Sequence, residues 1–120
     1  MVNDIFVDTN IIIHLLMGND KVLPLLQDKK VHVSFITEME LLSKKNIIKS
    51  EINIIHNFLD SCILYDLNDR IKNTAIIFMR NYRLKIADAI IAATSSYYNI
   101  HLITGDNNFS NIPDCTIIKF

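Results

Sequence analysis

Ile5-Phe6-Val7-Asp8-Thr9-Asn10 is the stretch that decides the fold, because an apolar run ends there on an acid and a helical pattern follows directly. The run at residues 5–7 predicts a short strand that is buried on both faces. Residues 9–17 predict a helix that Gly18 ends as the residue after the C-cap. A strand followed at once by a helix is the opening of a βαβ unit.

The same alternation of strand and helix continues along the chain. Further strands are predicted at residues 31–35, 63–65 and 101–103, with an edge strand at 116–118. Further helices are predicted at residues 20–27, 37–45, 50–59, 69–82 and 87–98. Strands that alternate with helices favour right-handed crossovers, so we expect one α/β domain over residues 1–120. Its architecture is expected to be a three-layer α/β/α fold around a central, mostly parallel sheet.

Composition is ordinary for a globular protein and narrows the choice of partners. The 120 residues carry 12 basic and 13 acidic side chains, a net charge of −1. A chain that bound nucleic acid nonspecifically and tightly would be strongly basic, and this one is not. The start of the chain lacks the positive region of a signal peptide. No apolar run approaches the ~20 residues that span a bilayer, so we expect a cytoplasmic protein with no membrane partner.

Acidic residues recur where the predicted strands end. Asp8 follows the first strand and Asp106 the fourth, while Glu40 lies about one turn into the helix after the second. Asp88 lies in the first turn of an apolar helix, where an uncompensated carboxylate is costly to bury. Because ligands of parallel sheets bind beyond the carboxyl ends of the strands, we expect these four acids to share one cleft.

Converging carboxylates predict a divalent metal site. Like charges repel strongly in a low-dielectric site, and a cation removes that repulsion. Hard oxygen ligands suit Mg²⁺ or Mn²⁺, and such a site can activate water for phosphodiester hydrolysis. Arg83 and Lys85 precede the Asp88 helix and are the predicted contacts to the substrate backbone, with a solvated surface as the alternative.

Each acid also has a local structural interpretation. Asp8 could cap the helix that follows it, and Thr37-x-x-Glu40 matches a capping box. Asp88 could stabilise a helix dipole, and Asp106 could form an Asx turn. The functional interpretation therefore depends on the four acids in combination.

Four segments together resemble the PIN domain, and most closely its toxin nucleases of the VapC type. They are Val7-Asp8-Thr9-Asn10-Ile11-Ile12, Ser34-Phe35-Ile36-Thr37 with Glu40-Leu41, Lys85 to Ala93, and Leu102-Ile103-Thr104-Gly105-Asp106 with Phe109. The third segment, Lys85-Ile86-Ala87-Asp88-Ala89-Ile90-Ile91-Ala92-Ala93, is the most specific. The anchors run from residue 5 to residue 118, so the resemblance covers essentially the whole chain.

The resemblance implies a PIN-like sheet in the flavodoxin-like style and a metal-dependent endoribonuclease. It implies Asp8, Glu40, Asp88 and Asp106 as the catalytic acids, with Asp8, Asp88 and Asp106 on Mg²⁺ or Mn²⁺. Asn10 and Thr104 match supporting polar positions. It further implies an RNA substrate, a homodimer, and a small antitoxin protein that blocks the cleft.

Departures from the family pattern and three competing interpretations remain. Asn108 stands where family members often carry another acid, which puts a second metal in doubt. The chain could be a free-standing RNA-processing nuclease without an antitoxin, or a catalytically silent binding scaffold. A phosphoacceptor receiver module would need paired acids after the first strand and a lysine after a later one, and only Asp66 fits it.

Overall fold

The computed structural model describes residues 3–120, and Met1 and Val2 of the expected single domain lie outside the described residues. Its strands are β1 (Asp4–Val7), β2 (Lys30–Ser34), β3 (Ile63–Tyr65), β4 (His101–Thr104) and β5 (Ile117–Lys119). Its helices are α1 (Thr9–Leu16), α2 (Leu23–Leu26), α3 (Phe35–Leu42), α4 (Lys49–Asp60), α5 (Asp69–Tyr82) and α6 (Ile86–Tyr97). The strand order is β3-β2-β1-β4-β5, and every pairing that the structure describes is parallel. The predicted three-layer α/β/α fold is confirmed.

The central strand β1 divides its side chains between two cores. Ile5 and Val7 pack in a cluster that draws its helical members from α1 to α4. Phe6 packs in a second cluster, whose helical members come from α5 and α6. Successive strand residues point to opposite faces, so one strand supports both helical layers. This explains why the run at residues 5–7 carries no polar residue.

Helix α6 is the most deeply buried helix that the structure describes. Residues 89–95 are all buried, as its apolar composition predicts. Its two buried hydroxyls are satisfied locally: Thr94 donates to the Ile90 carbonyl at 2.6 Å, and Ser95 to the Ile100 carbonyl at 3.1 Å. Polar groups bonded in this way cost little to bury, which lets α6 pass beneath the sheet.

Two helices differ from the sequence prediction at their first residues. Helix α3 begins at Phe35 because the Ser34 hydroxyl accepts a hydrogen bond from the Ile36 amide and caps it, so the predicted start at residue 37 is wrong. Helix α2 has four residues, not eight. Pro24 at its first turn lacks an amide hydrogen and fits only near a helix start.

The other predicted elements hold within one or two residues. Gly18 follows the C-cap of α1 with φ +83°, a conformation that favours glycine. No helix among residues 3–120 has the length and apolar character needed to cross a membrane.

Candidate active site

The strand order places the ends of β1 and β4 side by side at the centre of the sheet. The chain leaves β1 for β2 on one side, whereas β4 continues to β5 on the other. Such a switch point opens a crevice beyond the carboxyl ends of the two strands. Asp8 follows β1 there, and Asp106 follows β4 after one intervening residue.

One cavity of about 300 Å³ at this edge is lined by all four predicted acids, Asp8, Glu40, Asp88 and Asp106. Its other lining residues are Thr9, Asn10, Ile13, Ser43 and Ile91. The structure therefore brings together carboxylates from four separate segments. Their catalytic role stays a prediction, since their positions alone do not test it.

Asp8 is held by two different partners. Its Oδ1 accepts the Ile11 amide at 3.0 Å and so caps α1, which is the local role considered from sequence. Its Oδ2 accepts a hydrogen bond from the Thr104 hydroxyl on β4. The side chain is buried, with Asp8 only 4% exposed. Burial is the main reason that its pKa is raised, and the Thr104 and Ile11 hydrogen bonds oppose that rise.

Glu40 on α3 is hydrogen-bonded to a residue of α1 and not to the start of its own helix. Its Oε1 accepts the Thr9 hydroxyl at 2.6 Å, and the Thr9 hydroxyl oxygen lies 3.0 Å from that of Thr37. The capping-box alternative is wrong, because Ser34 caps α3 and Thr37 lies within the helix. Glu38, two residues earlier on α3, does not line the cavity.

Asp106 forms part of a turn and also lines the cavity. Its Oδ1 accepts the Asn108 amide at 2.8 Å, which is the Asx turn considered from sequence. Its own amide donates to the Thr104 hydroxyl oxygen at 3.0 Å. Thr104 therefore links the two acids, donating to Asp8 and accepting from Asp106. The predicted supporting residue is fully buried.

Asp88 is a half-buried acid whose charged form is strongly disfavoured. Its pKa is raised from 3.8 to about 6, first by burial and then by the charges of Asp106, Asp8 and Glu40. The charge of Lys85 opposes this rise only weakly, as the last of the named causes. A half-buried carboxylate surrounded by like charges is typical of a functional site.

The donor set fits a hard divalent cation. Four carboxylates supply oxygen ligands, and burial together with the charges of the other three acids raises the pKa of Asp88. As the side chains stand, no group of three or more His, Cys, Asp or Glu within residues 3–120 is close enough to form a metal site. The fit therefore rests on donor type and on the shared cavity.

Of the remaining predicted residues, Asn10 lines this cavity and two others do not. Asn10 lines it, at the second position of α1. Lys85 is the N-cap residue of α6, three residues before Asp88, and Arg83 ends α5 in a left-handed conformation with φ +55°. Both are exposed, and neither lines the cavity. Their contact with substrate stays a prediction.

Sequence reasoning missed Thr9, Thr37, Ser43 and Lys119 as residues that shape the site. The hydroxyls of Thr9 and Thr37 hold Glu40, and Ser43 lines the cavity one turn after it. Lys119 Nζ donates to the Gly105 carbonyl at 2.8 Å and to Asn107 Oδ1 at 2.5 Å, which ties down the loop that carries Asp106. Thr9, next to Asp8, and Thr37, three residues before Glu40, had a signal in the sequence.

Comparisons with known proteins agree on one family. The family model of the PIN domain matches residues 5–114. No curated protein sequence matches the chain.

Three solved structures illustrate the likeness. A toxin-antitoxin complex from Klebsiella pneumoniae has a chain that is 26% identical, with a TM-score of 0.83 and 95% of each chain covered. VapBC-1 from nontypeable Haemophilus influenzae is 23% identical, with a TM-score of 0.80 and 97% of each chain covered. VapBC2 from Rickettsia felis, bound to a DNA fragment from its promoter, is 19% identical, with a TM-score of 0.83 and 98% of each chain covered.

Proposed function

Because the chain belongs to the PIN domain family, we propose that it is a Mg²⁺- or Mn²⁺-dependent endoribonuclease acting in the cytoplasm as the toxin of a toxin–antitoxin pair. Family membership supports a nuclease, and hence a hydrolase. The observation that carries the proposal is the single cavity lined by Asp8, Glu40, Asp88 and Asp106. A metal centre that cuts phosphodiesters uses such a set of hard oxygen ligands.

In this proposal Asp8, Asp88 and Asp106 hold the cation. Thr104 orients the Asp8 carboxylate by donating to Oδ2, and burial between β1 and β4 keeps that geometry rigid. Asp106 would bind through Oδ2, since its Oδ1 is bonded in the turn. When bound, Mg²⁺ or Mn²⁺ would activate the attacking water and stabilise the leaving oxygen.

Glu40 is proposed to accept a proton from the attacking water. Thr9 occupies Oε1, and no hydrogen bond among residues 3–120 engages Oε2, which leaves that atom available as the base. The Thr9 bond also fixes the rotation of the carboxylate, so Oε2 keeps a constant direction. A general base must be positioned before its basicity matters, and the Thr9–Thr37 pair supplies that positioning.

The antitoxin is proposed to cover an apolar groove next to the cavity. This groove of about 400 Å³ is lined by Ile13, Leu16, Met17, Leu41, Ile54 and Ile55, together with Glu40, Lys44 and Glu51. Met17 is 78% exposed, and such an apolar surface beside a functional cleft is typical of a protein interface. Since Ile13 and Glu40 line both the groove and the acid cavity, a partner in the groove would block substrate access.

A homodimer is also part of the proposal. Ile76 and Ile77 on α5 are about half exposed and lie together on the outer surface of that helix. Exposed aliphatic pairs of this kind support self-association. Light scattering during gel filtration measures the oligomeric state directly.

The nuclease is tested by incubating single-stranded and structured RNAs with purified protein in Mg²⁺, in Mn²⁺ or in EDTA, beside an Asp88→Asn variant. We expect cleavage that needs the metal and is lost in the variant. Metal-independent cleavage, or equal cleavage by Asp88→Asn, would contradict the proposed site. A folded protein that neither binds metal nor cuts RNA would be the silent scaffold. Metal-dependent cleavage without copurification of a small protein expressed from a neighbouring reading frame would favour a free-standing RNA-processing nuclease.

A further inference from the structure

A second, larger cavity of about 550 Å³ adjoins the acid cavity. It lies between the first turns of α1, the loop that follows β4, and the end of β5. Asn10 and Asp106 line both cavities, so the two are continuous. A polymer whose phosphodiester lay on the acids would therefore place a neighbouring nucleotide in the second cavity.

The side chains that line this second cavity are mostly uncharged. Among the described residues that line it, no lysine or arginine occurs, and Asp106 is the one acidic side chain. Three amides contribute donors and acceptors, from Asn10, Asn107 and Asn108. Two rings, those of His14 and Phe120, contribute flat surface. Amides read the edges of nucleobases, and aromatic rings stack on their faces.

Several contacts hold this lining in place before any ligand binds. The rings of His14 and Phe120 lie 5.9 Å apart, tilted by 40°. The Phe120 amide donates to the Thr104 carbonyl at 2.8 Å, which anchors the residue beside β4. Lys119 engages Oδ1 of Asn107, so its Nδ2 remains available as a donor. A fixed site loses little conformational entropy when it binds.

The backbone at Gly105 borders open space. A Cβ built at this position would meet no atom within 4 Å, so the wall of the cavity is open there. No hydrogen bond within residues 3–120 engages the side-chain amides of Asn10 and Asn108. These groups are free to exchange solvent for the polar edge of a base.

We propose that this cavity binds the nucleobase next to the scissile phosphodiester and thereby sets the nucleotide preference of cleavage. The inference rests on the proposed ribonuclease function and adds the part of the substrate that the site recognises. His14 and Phe120 stack on the base, and the three asparagines read its edge. Neither His14 nor Phe120 belongs to the catalytic acids, so this recognition is separable from the chemistry.

The direct test is binding of uncharged nucleosides, observed through the histidine ring protons by NMR in EDTA. Adenosine, guanosine, cytidine and uridine are titrated separately into the whole protein, and no cleavage is needed. We expect at least one nucleoside to shift the His14 resonance while exposed His56 on α4 stays unmoved. Phe120→Leu should weaken that binding about tenfold, within the range known for stacking on an aromatic ring. No shift of His14 with any nucleoside, or equal shifts of His14 and His56, would overturn the inference.

A cleavage assay is the second experiment, and it distinguishes the proposed base site from the proposed nuclease function. RNAs that differ only in the base beside the cut are compared for the wild type, His14→Ala and the control His56→Ala. We expect His14→Ala to reduce the preference between bases about tenfold while it still cuts the poorest substrate. A His14 shift without any RNA cleavage would support the base site and contradict the nuclease. Cleavage without a His14 shift, and with base preference unchanged in His14→Ala, would support the nuclease and overturn the base site.

Discussion

The two ends of strand β1 carry polar clusters with opposite properties. At its start, Oδ1 of Asp4 accepts a hydrogen bond from Nε2 of buried His32 at 2.9 Å, and Nδ1 of the same ring lies 2.8 Å from the Tyr65 hydroxyl. A neutral imidazole with its proton on Nε2 satisfies both bonds, since the Tyr65 hydroxyl can donate to Nδ1. The Tyr65 ring stacks on His32 and on Tyr98. Both ring nitrogens of His32 therefore have a complementary partner.

At the other end of β1, one of the carboxylates lacks a hydrogen-bond partner among the described residues. Asp8 is bonded on both oxygens, but Asp88 accepts no hydrogen bond within residues 3–120 and faces three other carboxylates. The pKa of Asp88 rises to about 6 as a result. A matched cluster stabilises a fold, whereas an unmatched one stores repulsion that a cation can relieve. Burial alone would not separate them, because Asp8 and His32 are both buried, at 4% and 5% exposure.

The largest expected effect contrasts Asp8→Asn with Asp4→Asn, the same change at the two ends of one strand. Asp8→Asn should lower the rate of RNA cleavage roughly a hundredfold or more, because it removes a charge that holds the metal, worth several kcal/mol in the transition state. The fold should persist. The amide oxygen can still cap α1, and the amide nitrogen can donate to Thr104, whose hydroxyl also accepts.

Asp4→Asn is the matched control for that variant. Its amide oxygen can still accept from His32, so we expect cleavage close to that of the wild type. Single-turnover cleavage and the melting temperature are measured for both variants. Equal losses of activity at the two positions would contradict the assignment of function to one end of the strand.

The second prediction concerns the His32 cluster, where we expect a loss of stability and no loss of cleavage. His32→Ala removes the centre of the matched cluster, which leaves a cavity and an unpaired Tyr65 hydroxyl, so we expect unfolding to be easier by about 2–3 kcal/mol. The cleavage rate per folded molecule should not change, since His32 does not line the acid cavity. Urea denaturation gives the stability, and exposed His56→Ala is the control. A stable His32→Ala protein with slower cleavage would contradict the structural role.

A smaller change in stability, opposite in sign to that of His32→Ala, is expected for Asp88→Asn. Its folded pKa of about 6 lies above its ordinary value of 3.8, so the folded state holds the proton more tightly, and stability falls as pH rises between these values. In EDTA at pH 7.5, Asp88→Asn should therefore stabilise the protein by about 1 kcal/mol. We discount the full shift because solvent screens a half-buried group.

The pH dependence provides the control for that gain. Near pH 4 the wild-type carboxyl is protonated when folded and the repulsion disappears, so the variant and the wild type should melt at nearly the same temperature. Thermal unfolding is followed at both pH values. A variant that is equally stabilised at pH 4 and pH 7.5 would show that repulsion is not the cause.

The acid end of this contrast could largely be predicted from the sequence. Apolar runs fix the strands, and the rule that parallel strands end at one edge brings Asp8 and Asp106 together before any coordinates are known. Glu40 shows where local patterns mislead. Thr37-x-x-Glu40 matches a capping box, yet Ser34 ends β2 and caps α3 three residues earlier. The bond that does hold Glu40 joins it to Thr9, 31 residues away, and no local pattern encodes it.

The end of the sheet was harder to predict for a similar reason. Strand β5 has three residues, which is too short to show an alternating pattern, and it lies one residue beyond the predicted position. That shift brings Lys119 into β5, paired with Thr104 of β4. From there its side chain reaches the loop of Asp106. Such contacts depend on register between strands that lie far apart in sequence, and a one-residue slip reverses every side chain.

The smallest effect is expected at Lys119, which holds the loop that carries Asp106 but bonds to none of the four acids. Lys119→Met removes the donor that ties the Gly105 carbonyl and Asn107 Oδ1, so the loop that positions Asp106 should become looser. Because the lysine is exposed, each bond contributes little to stability, and we expect kcat/KM to fall about threefold with an unchanged melting temperature. Lys72→Met is the control, since Lys72 is an exposed lysine whose 3.5 Å ion pair with Asp69 lies within α5. A threefold loss in both variants would reflect overall charge. A loss confined to Lys119→Met would show that the acid end of β1 depends on a residue that holds the Asp106 loop in place.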